Sequence, residues 1–161
     1  PRTYLRVFDD DPGALTDTEI TEAIARQHAI VSRGFFLEIE VNGSLQMGHT
    51  QVVTESGDTP TALHVTVRAP EWLKPTASVQ LYRNGLHLET KDAPAPESGT
   101  LVFDDTFTLT ADKDSWYVVV VRSSGNGKPV FDGNPYAYTN PVYVDFDGDG
   151  TWTPPGPPSE L

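Results

Sequence analysis

The stretch Val79-Gln80-Leu81-Tyr82-Arg83-Asn84-Gly85-Leu86-His87-Leu88 decides the fold of this chain. Apolar and polar side chains alternate before and after Asn84-Gly85, which is the period of a half-buried β-strand. Asn-Gly between two such runs predicts a β-hairpin, because both central residues of a type I′ turn need a positive φ angle. The chain is therefore expected to contain antiparallel strand pairs.

Similar runs occupy most of the remaining sequence. They lie at Phe35–Val41, Leu63–Arg68, Thr100–Phe103, Thr106–Leu109, Ser115–Val121 and Pro141–Val144. The run from Trp116 to Val121 is apolar on both faces and contains no proline, so it predicts a central strand. Short strands at this spacing, with 13 Gly and 14 Pro in the chain, predict a mainly β protein. We expect an antiparallel β-sandwich of the immunoglobulin or fibronectin type III kind.

One helix precedes these strands. Thr16 and Glu19 have the spacing of a capping box, so a helix is predicted from Asp17 to Arg26, about three turns long. Its apolar stripe is narrow and consists of Ile20, Ala23 and Ile24. After Gly34 the hydrophobic period changes from that of a helix to that of a strand.

The change of period suggests a division of the chain, whose 161 residues fit one domain with a sizeable core. We predict that residues 1–33 form an N-terminal strand and helix and that residues 34–152 form the β-sandwich. Residues 153–161 are predicted to be a proline-rich tail.

Composition limits the classes of partner. Eleven Lys and Arg against 23 Asp and Glu give a formal net charge of −12, which repels nucleic acid and anionic membrane surfaces. The chain contains no Cys, which excludes disulfide bonds and thiolate metal sites but leaves the compartment open. No nucleic-acid partner is expected.

The ends and the hydropathy of the chain suggest a piece of a longer or processed protein. It begins at Pro1 without an initiator Met and without a hydrophobic signal segment. Its longest apolar run, Trp116–Val121, is far shorter than the roughly 18 residues that a membrane-spanning helix needs. We expect no membrane insertion.

The strongest sign of a ligand is the segment Val142-Tyr143-Val144-Asp145-Phe146-Asp147-Gly148-Asp149-Gly150. Asp145, Asp147 and Asp149 stand at alternate positions, and with Asp145 as position one of an EF-type loop, Gly150 occupies the sixth place. Carboxylate oxygens suit Ca²⁺ better than Zn²⁺. These three residues are therefore the predicted metal ligands, with Ca²⁺ as the cofactor.

An acidic turn is the alternative interpretation of the same segment. Asp-Gly occurs twice in succession, which is a turn signal. The twelfth loop position, where an EF-type loop has a bidentate Glu, is Gly156. Further oxygen ligands would have to come from elsewhere in the fold or from water.

Other residues give weaker signals of chemistry. The four histidines are scattered without zinc-motif spacing: His28, His49, His64 and His87. Asp104-Asp105 and the Asp112, Asp114 pair could supply acid and base groups, but their predicted position at strand ends favours turn capping. A sugar-stacking platform could form from Tyr136, Tyr138, Tyr143 and Trp152, although packing is the more common role. We therefore expect no catalytic site.

Several segments together resemble the C-terminal part of CehA/McbA-type metallohydrolases of the PHP superfamily. The segments are Pro1–Leu5, Glu22–Ala25, Ile30–Leu37 and Ala137–Asp145, with Ala69–Trp72, Asn84-Gly85 and Asp114–Trp116 between them. The resemblance extends over nearly the whole chain. Phe35 stands where the family usually has proline after the glycine, and Gln27-His28 stand where it has Gly-Arg.

The resemblance implies a β-sandwich appended to a metal-dependent hydrolase barrel. The strand and helix of residues 1–33 would then belong structurally to that upstream barrel. The metal-binding His and Asp motifs of such proteins precede the segment that resembles Pro1–Leu5, so no catalytic residue transfers to this chain. Its implied role is a non-catalytic accessory C-terminal domain, whose partner is the upstream barrel of the same polypeptide. The alternative is an independent calcium-dependent binding module, for example for carbohydrate. Acidity and the candidate calcium loop favour an extracytoplasmic or secreted location.

Overall fold

The structure is a computed structural model that describes residues 1–9, 11–46, 50–51, 61–73, 76–95 and 100–157. The helix α1 spans Asp17–Ala25, and a single 3₁₀ turn spans Glu71–Leu73. The strands are β1 Arg2–Leu5, β2 Ala29–Arg33, β3 Phe36–Val41, β4 Ser44–Gln46, β5 Thr50–Gln51, β6 Thr61–Arg68, β7 Ala77–Arg83, β8 Leu86–Ala93, β9 Leu101–Leu109, β10 Ser115–Ser123, β11 Tyr136–Thr139 and β12 Val142–Val144.

The strands form two sheets. The smaller sheet has the order β4-β3-β6-β9. In the larger sheet β10 is central, as its apolar sequence predicted: β7 and then β8 lie on one side, and β11 and β12 share the other. From β11 this sheet continues to β2 and β1, and β5 pairs with β12 in parallel. The predicted antiparallel β-sandwich is confirmed.

The core lies between the two sheets, because inward-facing apolar residues alternate along their strands. The fully or almost fully buried members include Leu37, Ile39 and Val41 of β3, Val79 and Leu81 of β7, and Val119 and Val121 of β10. Burying each such side chain contributes roughly 1.5–3 kcal/mol. The alternation in the sequence therefore fixes which face of each strand points inward.

Tyr117 marks the corner where the chain crosses from β9 to β10. Its ring is buried, and its hydroxyl donates a hydrogen bond to the carbonyl oxygen of Thr110 at 3.3 Å. Burial raises the pKa of Tyr117 to about 12, against the opposing effect of Arg83. A buried tyrosine whose hydroxyl bonds to the backbone a few residues upstream is similar to the tyrosine corner of immunoglobulin-like sandwiches.

The predicted hairpin is present and has the expected turn. Asn84 and Gly85 have φ angles of 52° and 88° and join β7 to β8. Asn42 and Gly43, at 49° and 77°, join β3 to β4 in the same way. This second turn carries the same Asn-Gly signal in the sequence but was not predicted.

One predicted chain break is wrong. Instead of two strands at 100–103 and 106–109, β9 runs through Asp104 and Asp105. The two carboxylates do not cap a turn. Asp104 lies 2.6 Å from His64 Nε2 on the paired strand β6, and Asp105 accepts a hydrogen bond at 2.7 Å from Lys91 Nζ on β8 of the larger sheet. Side-chain partners across strands thus keep an acidic pair inside a strand.

The N-terminal segment is hydrogen-bonded to the sandwich. Thr16 caps α1 with the predicted capping box, and the helix ends one residue before the predicted Arg26. β1 pairs with β2, and β2 pairs with β11 from Arg33 opposite Tyr136 to Ile30 opposite Thr139. The predicted boundary at residue 33 therefore falls between β2 and β3, which belong to opposite sheets. The origin of residues 1–33 in a barrel stays a prediction.

Candidate metal centre

The pairing of β10 with β12 creates the candidate site. These strands are antiparallel, with Ser115 opposite Val144. The next residue outward on each strand is Asp114 and Asp145, so the register makes the two carboxylates neighbours. Asp145 is 0% exposed and Asp114 is 3% exposed. Two acidic side chains are therefore buried at one end of the larger sheet.

Asp145 accepts hydrogen bonds from later residues of its own acidic loop. Its carboxylate accepts hydrogen bonds from the backbone N–H of Gly148 at 2.7 Å and of Gly150 at 2.9 Å. Both glycines have positive φ angles, 71° and 85°, which glycine adopts without steric cost. The sharp turn predicted at Gly150 is thus present, and it directs backbone donors to the first acidic residue of the loop.

Asp114 joins the loop from the other strand. One of its carboxylate oxygens accepts the N–H of Phe146 at 3.0 Å, and the other accepts the N–H of Thr153 at 2.5 Å. Trp152 also donates its indole N–H to the carbonyl oxygen of Ser115 at 3.4 Å. The start of β10 therefore holds both ends of the segment 146–153.

Asp147 completes a cluster of three carboxylates. One oxygen each from Asp114, Asp145 and Asp147 lie within 4.8 Å of one another. Asp149, the third predicted ligand, is outside this cluster, and its carboxylate accepts the N–H of Thr151 at 2.7 Å. Asp114 therefore lies in this cluster beside two of the three predicted ligands, Asp145 and Asp147.

The electrostatics of the cluster favour a cation. The hydrogen bond from the N–H of Asp149 lowers the pKa of Asp147, but desolvation, repulsion by Asp149 and Asp114, and the hydrogen bond with Asp145 raise it, and the net shift is upward. Within the described part of the chain, no Lys, Arg or His forms an ion pair with the three carboxylates. A bound dication would compensate this repulsion.

The donor set suits a hard cation. Three carboxylates supply oxygen ligands only, and Ca²⁺ takes six to eight oxygens with flexible geometry. Backbone carbonyls or water would complete the shell. The residues therefore fit Ca²⁺, although nothing in the donor set alone separates Ca²⁺ from other oxygen-binding cations.

The remaining predicted residues lie apart from this cluster. His64 lies between two carboxylates, Asp104 at 2.6 Å and Glu40 at 3.9 Å, and His87 bonds Thr90 Oγ1 at 2.7 Å. His49 lies outside the described residues. These contacts account for His64 and His87 as hydrogen-bonded surface residues.

The four candidate aromatics form two separate pairs. Tyr136 and Tyr138 stack with ring centroids 6.3 Å apart and an interplanar angle of 8°. Tyr143 and Trp152 meet edge to face at 4.7 Å and 73°. Since Trp152 also bonds the backbone of Ser115, the second pair packs the acidic loop against the sheet. The sugar-stacking interpretation stays a hypothesis.

No family model, no curated protein and no solved structure matches this chain. The comparisons therefore give no link to the CehA/McbA-type hydrolases, and that resemblance stays a prediction. No helix in the described ranges has the length and hydropathy that crossing a bilayer requires.

Proposed function

We propose that this chain is a non-catalytic accessory β-sandwich of a larger polypeptide, next to the barrel of a PHP-type metal-dependent hydrolase. The observation that carries the proposal is the exposed apolar face of α1. The sequence resemblance to the CehA/McbA-type hydrolases supports the same proposal.

The stripe of α1 is largely uncovered. Ala23 is its only buried residue, whereas Ile20 is 37% exposed and Ile24 is 59% exposed. Phe8, in the segment before the helix, is fully exposed. A helix of nine residues is not stable alone in water, and an apolar stripe stabilises a helix by packing against another surface. We infer that an upstream domain covers this face.

The sandwich can hold such a domain in a fixed position. β1 and β2 flank α1 in the sequence, and both are hydrogen-bonded into the larger sheet through β11. A domain packed on α1 would therefore contact a helix held by the sheet on both sides and not a flexible linker. This geometry suits an accessory domain that shapes or steadies a neighbouring barrel.

The test is amide hydrogen exchange of α1 in the isolated chain and in the longer protein that contains it. We expect fast exchange in the isolated chain and slower exchange in the longer protein, with β10 slow in both. In the longer protein, Ile24→Ser should lower stability more than the matched variant Leu88→Ser, which alters another exposed apolar residue. Exchange from α1 as slow as from β10 in the isolated chain would contradict the proposal. An upstream sequence without His and Asp metal motifs would contradict the hydrolase assignment.

The absence of catalysis is tested separately. We expect the purified chain to turn over neither esters nor phosphoesters when divalent metals are added, since a metallohydrolase needs ligands that leave an open metal position. Turnover that is lost on substituting Asp104 or Asp112 would refute the non-catalytic role.

The second candidate is an independent calcium-dependent binding module, and the carboxylate cluster favours it. Asp114, Asp145 and Asp147 would bind Ca²⁺, with affinity in the range of extracellular modules, on the order of 10⁻⁴ to 10⁻³ M. Such a site fills only where calcium is abundant, so this candidate goes with an extracytoplasmic location. A rise of the melting temperature with added Ca²⁺ tests it.

A further inference from the structure

A groove separate from the acidic cluster opens beside β1 and the start of β3. Its volume is about 840 Å³, which lies in the range of small-molecule sites. We call it the arginine groove and define it by Arg2, Tyr4, Arg33, Phe36, Arg68 and Trp72. Strands of both sheets and the 3₁₀ turn contribute to it.

The charge of the groove is opposite to that of the protein. The chain has 23 acidic and 11 basic residues, yet the described lining includes three arginines and no Asp or Glu. Arg2 is exposed, and no described side chain forms an ion pair with it. Arg68 reaches Glu38 only at 3.8 Å in a partly exposed pair. Arg33 donates a hydrogen bond to the carbonyl oxygen of Asp132, so Arg2 is the guanidinium group that the groove offers to an anion.

The walls are aromatic. Tyr4 and Phe36 meet edge to face, with ring centroids 5.6 Å apart at 86°. Trp72 is 50% exposed, and Tyr4 and Phe36 also keep part of their rings in contact with solvent. Arg33 lies over the ring of Phe131, 5.0 Å from its centroid. A flat apolar group can pack against these rings while its charge meets an arginine.

Glycine packing fixes one wall. A Cβ on Gly127 would lie 1.9 Å from Phe131, so only glycine leaves room for that ring. Gly34 has a φ of 101°, and a Cβ there would lie 3.0 Å from both Phe131 and Leu73. The ring of Phe131 therefore packs against two glycines on one side and lies beneath Arg33 on the other. A wall formed in advance reduces the ordering cost of binding.

We propose that the arginine groove binds a small organic anion with an aromatic body, such as an aromatic carboxylate. The carboxylate pairs with Arg2, where a guanidinium can donate two parallel hydrogen bonds, and the ring packs on Tyr4 and Trp72. A polyanion such as nucleic acid fits poorly, because the net charge of −12 repels it. A bare inorganic anion would leave the aromatic walls uncovered.

The probe is naphthoate, titrated into the purified chain and followed by backbone amide NMR shifts. We expect a Kd on the order of 1 mM, as the usual binding energy per non-hydrogen atom implies for a ligand of this size, with shifts centred on Gly34, Phe36 and Trp72. Neutral naphthalenemethanol should bind roughly tenfold more weakly, since a charge-assisted hydrogen bond is lost. Naphthylmethylammonium should bind more weakly still. This series uses the unmodified chain and does not depend on any variant folding.

Matched variants locate the contacts. Arg2→Gln should weaken naphthoate binding roughly tenfold and leave naphthalenemethanol unaffected, whereas Trp72→Ala should weaken both ligands. Arg122→Gln and Leu88→Ala alter exposed residues outside the groove and should change neither. Equal affinity for the neutral and the anionic ligand, shifts centred elsewhere, or equal loss in the control variants would overturn the proposal.

Discussion

Calcium should stabilise this chain by binding across the junction of β10 and the C-terminal loop. The perturbation is the addition of about 10 mM Ca²⁺, which is on the order of 10 to 100 times the Kd expected for a site of this type. A ligand that binds only the folded state stabilises it by RT ln(1 + [L]/Kd), which gives about 1.4 to 2.7 kcal/mol.

The corresponding change in melting temperature is measurable. For a chain of 161 residues, 1 kcal/mol shifts Tm by roughly 2–4 °C, so the expected rise is about 3 to 11 °C. Differential scanning calorimetry over a calcium series gives both the shift and its dependence on concentration. An equal concentration of Mg²⁺ should give a smaller shift, because Mg²⁺ demands octahedral geometry and dehydrates reluctantly.

Two single substitutions provide a matched pair. Asp147 and Asp149 are both exposed, and each accepts a backbone N–H two residues further on, at 3.1 Å and 2.7 Å. Asn keeps the side-chain oxygen that accepts this hydrogen bond, so Asp147→Asn and Asp149→Asn should both preserve the turns. The two variants differ because only Asp147 belongs to the carboxylate cluster. Asp147→Asn should remove most of the calcium response, and Asp149→Asn should retain it. No change of Tm in the unmodified chain, or an equal loss in both variants, would refute the reasoning.

Three further predictions concern the sandwich. Tyr117→Phe removes the hydrogen bond across the corner and should lower the free energy of unfolding in urea by about 1 kcal/mol. Tyr117 ionises at lower pH in the unfolded chain than in the folded chain, where its pKa is about 12. The unmodified chain should therefore lose stability as the pH rises from about 10 to about 12, and the Phe variant should lack this loss. Gly34→Ala, with a strained φ and a crowded Cβ, should cost roughly 1–3 kcal/mol, more than Gly43→Ala, where φ is also positive but nothing lies within 4 Å. Hydrogen bonds from Lys91 Nζ and from the backbone N–H of Thr106 lower the pKa of Asp105 in the folded chain. Asp105 therefore contributes to the free energy of unfolding above its unfolded pKa near 3.8, and this contribution is lost as the pH falls through the lower folded value. The Tm difference between the unmodified chain and Asp105→Asn should accordingly shrink in acid.

Local sequence signals predicted the elements that depend on near neighbours. The capping box at Thr16 starts α1, Asn84-Gly85 turns the hairpin, and the apolar alternation of β3 faces the core. Each of these features is decided within a few residues. They could therefore be predicted from the sequence, whatever the tertiary structure around them.

Two strands of the larger sheet, β2 and β11, could not be predicted by the same rule, because their inward residues apart from Ile30 are small or polar. Ser32 of β2 and Thr139 of β11 are buried, as is Ala137, whereas Tyr138 points outward and is exposed. From hydropathy alone, the buried face of such a strand looks polar, or its exposed face looks like the buried one. Partner strands on both sides satisfy the backbone of these segments, and this tertiary contribution overrides the weak local pattern.

The carboxylate cluster shows how the register changes a candidate site. Asp145 and Asp147 stand in one acidic segment and were predicted together, but Asp114 becomes their neighbour only through the pairing of Ser115 with Val144. This difference has an energetic consequence. A ligand set confined to residues 145–149 exists locally in the unfolded chain as well, and any binding there subtracts from the stabilisation of the folded state. A set that includes Asp114 exists only once β10 and β12 have paired, so cation binding would act almost wholly on the folded chain and would couple the first residues of β10 to the loop that follows β12.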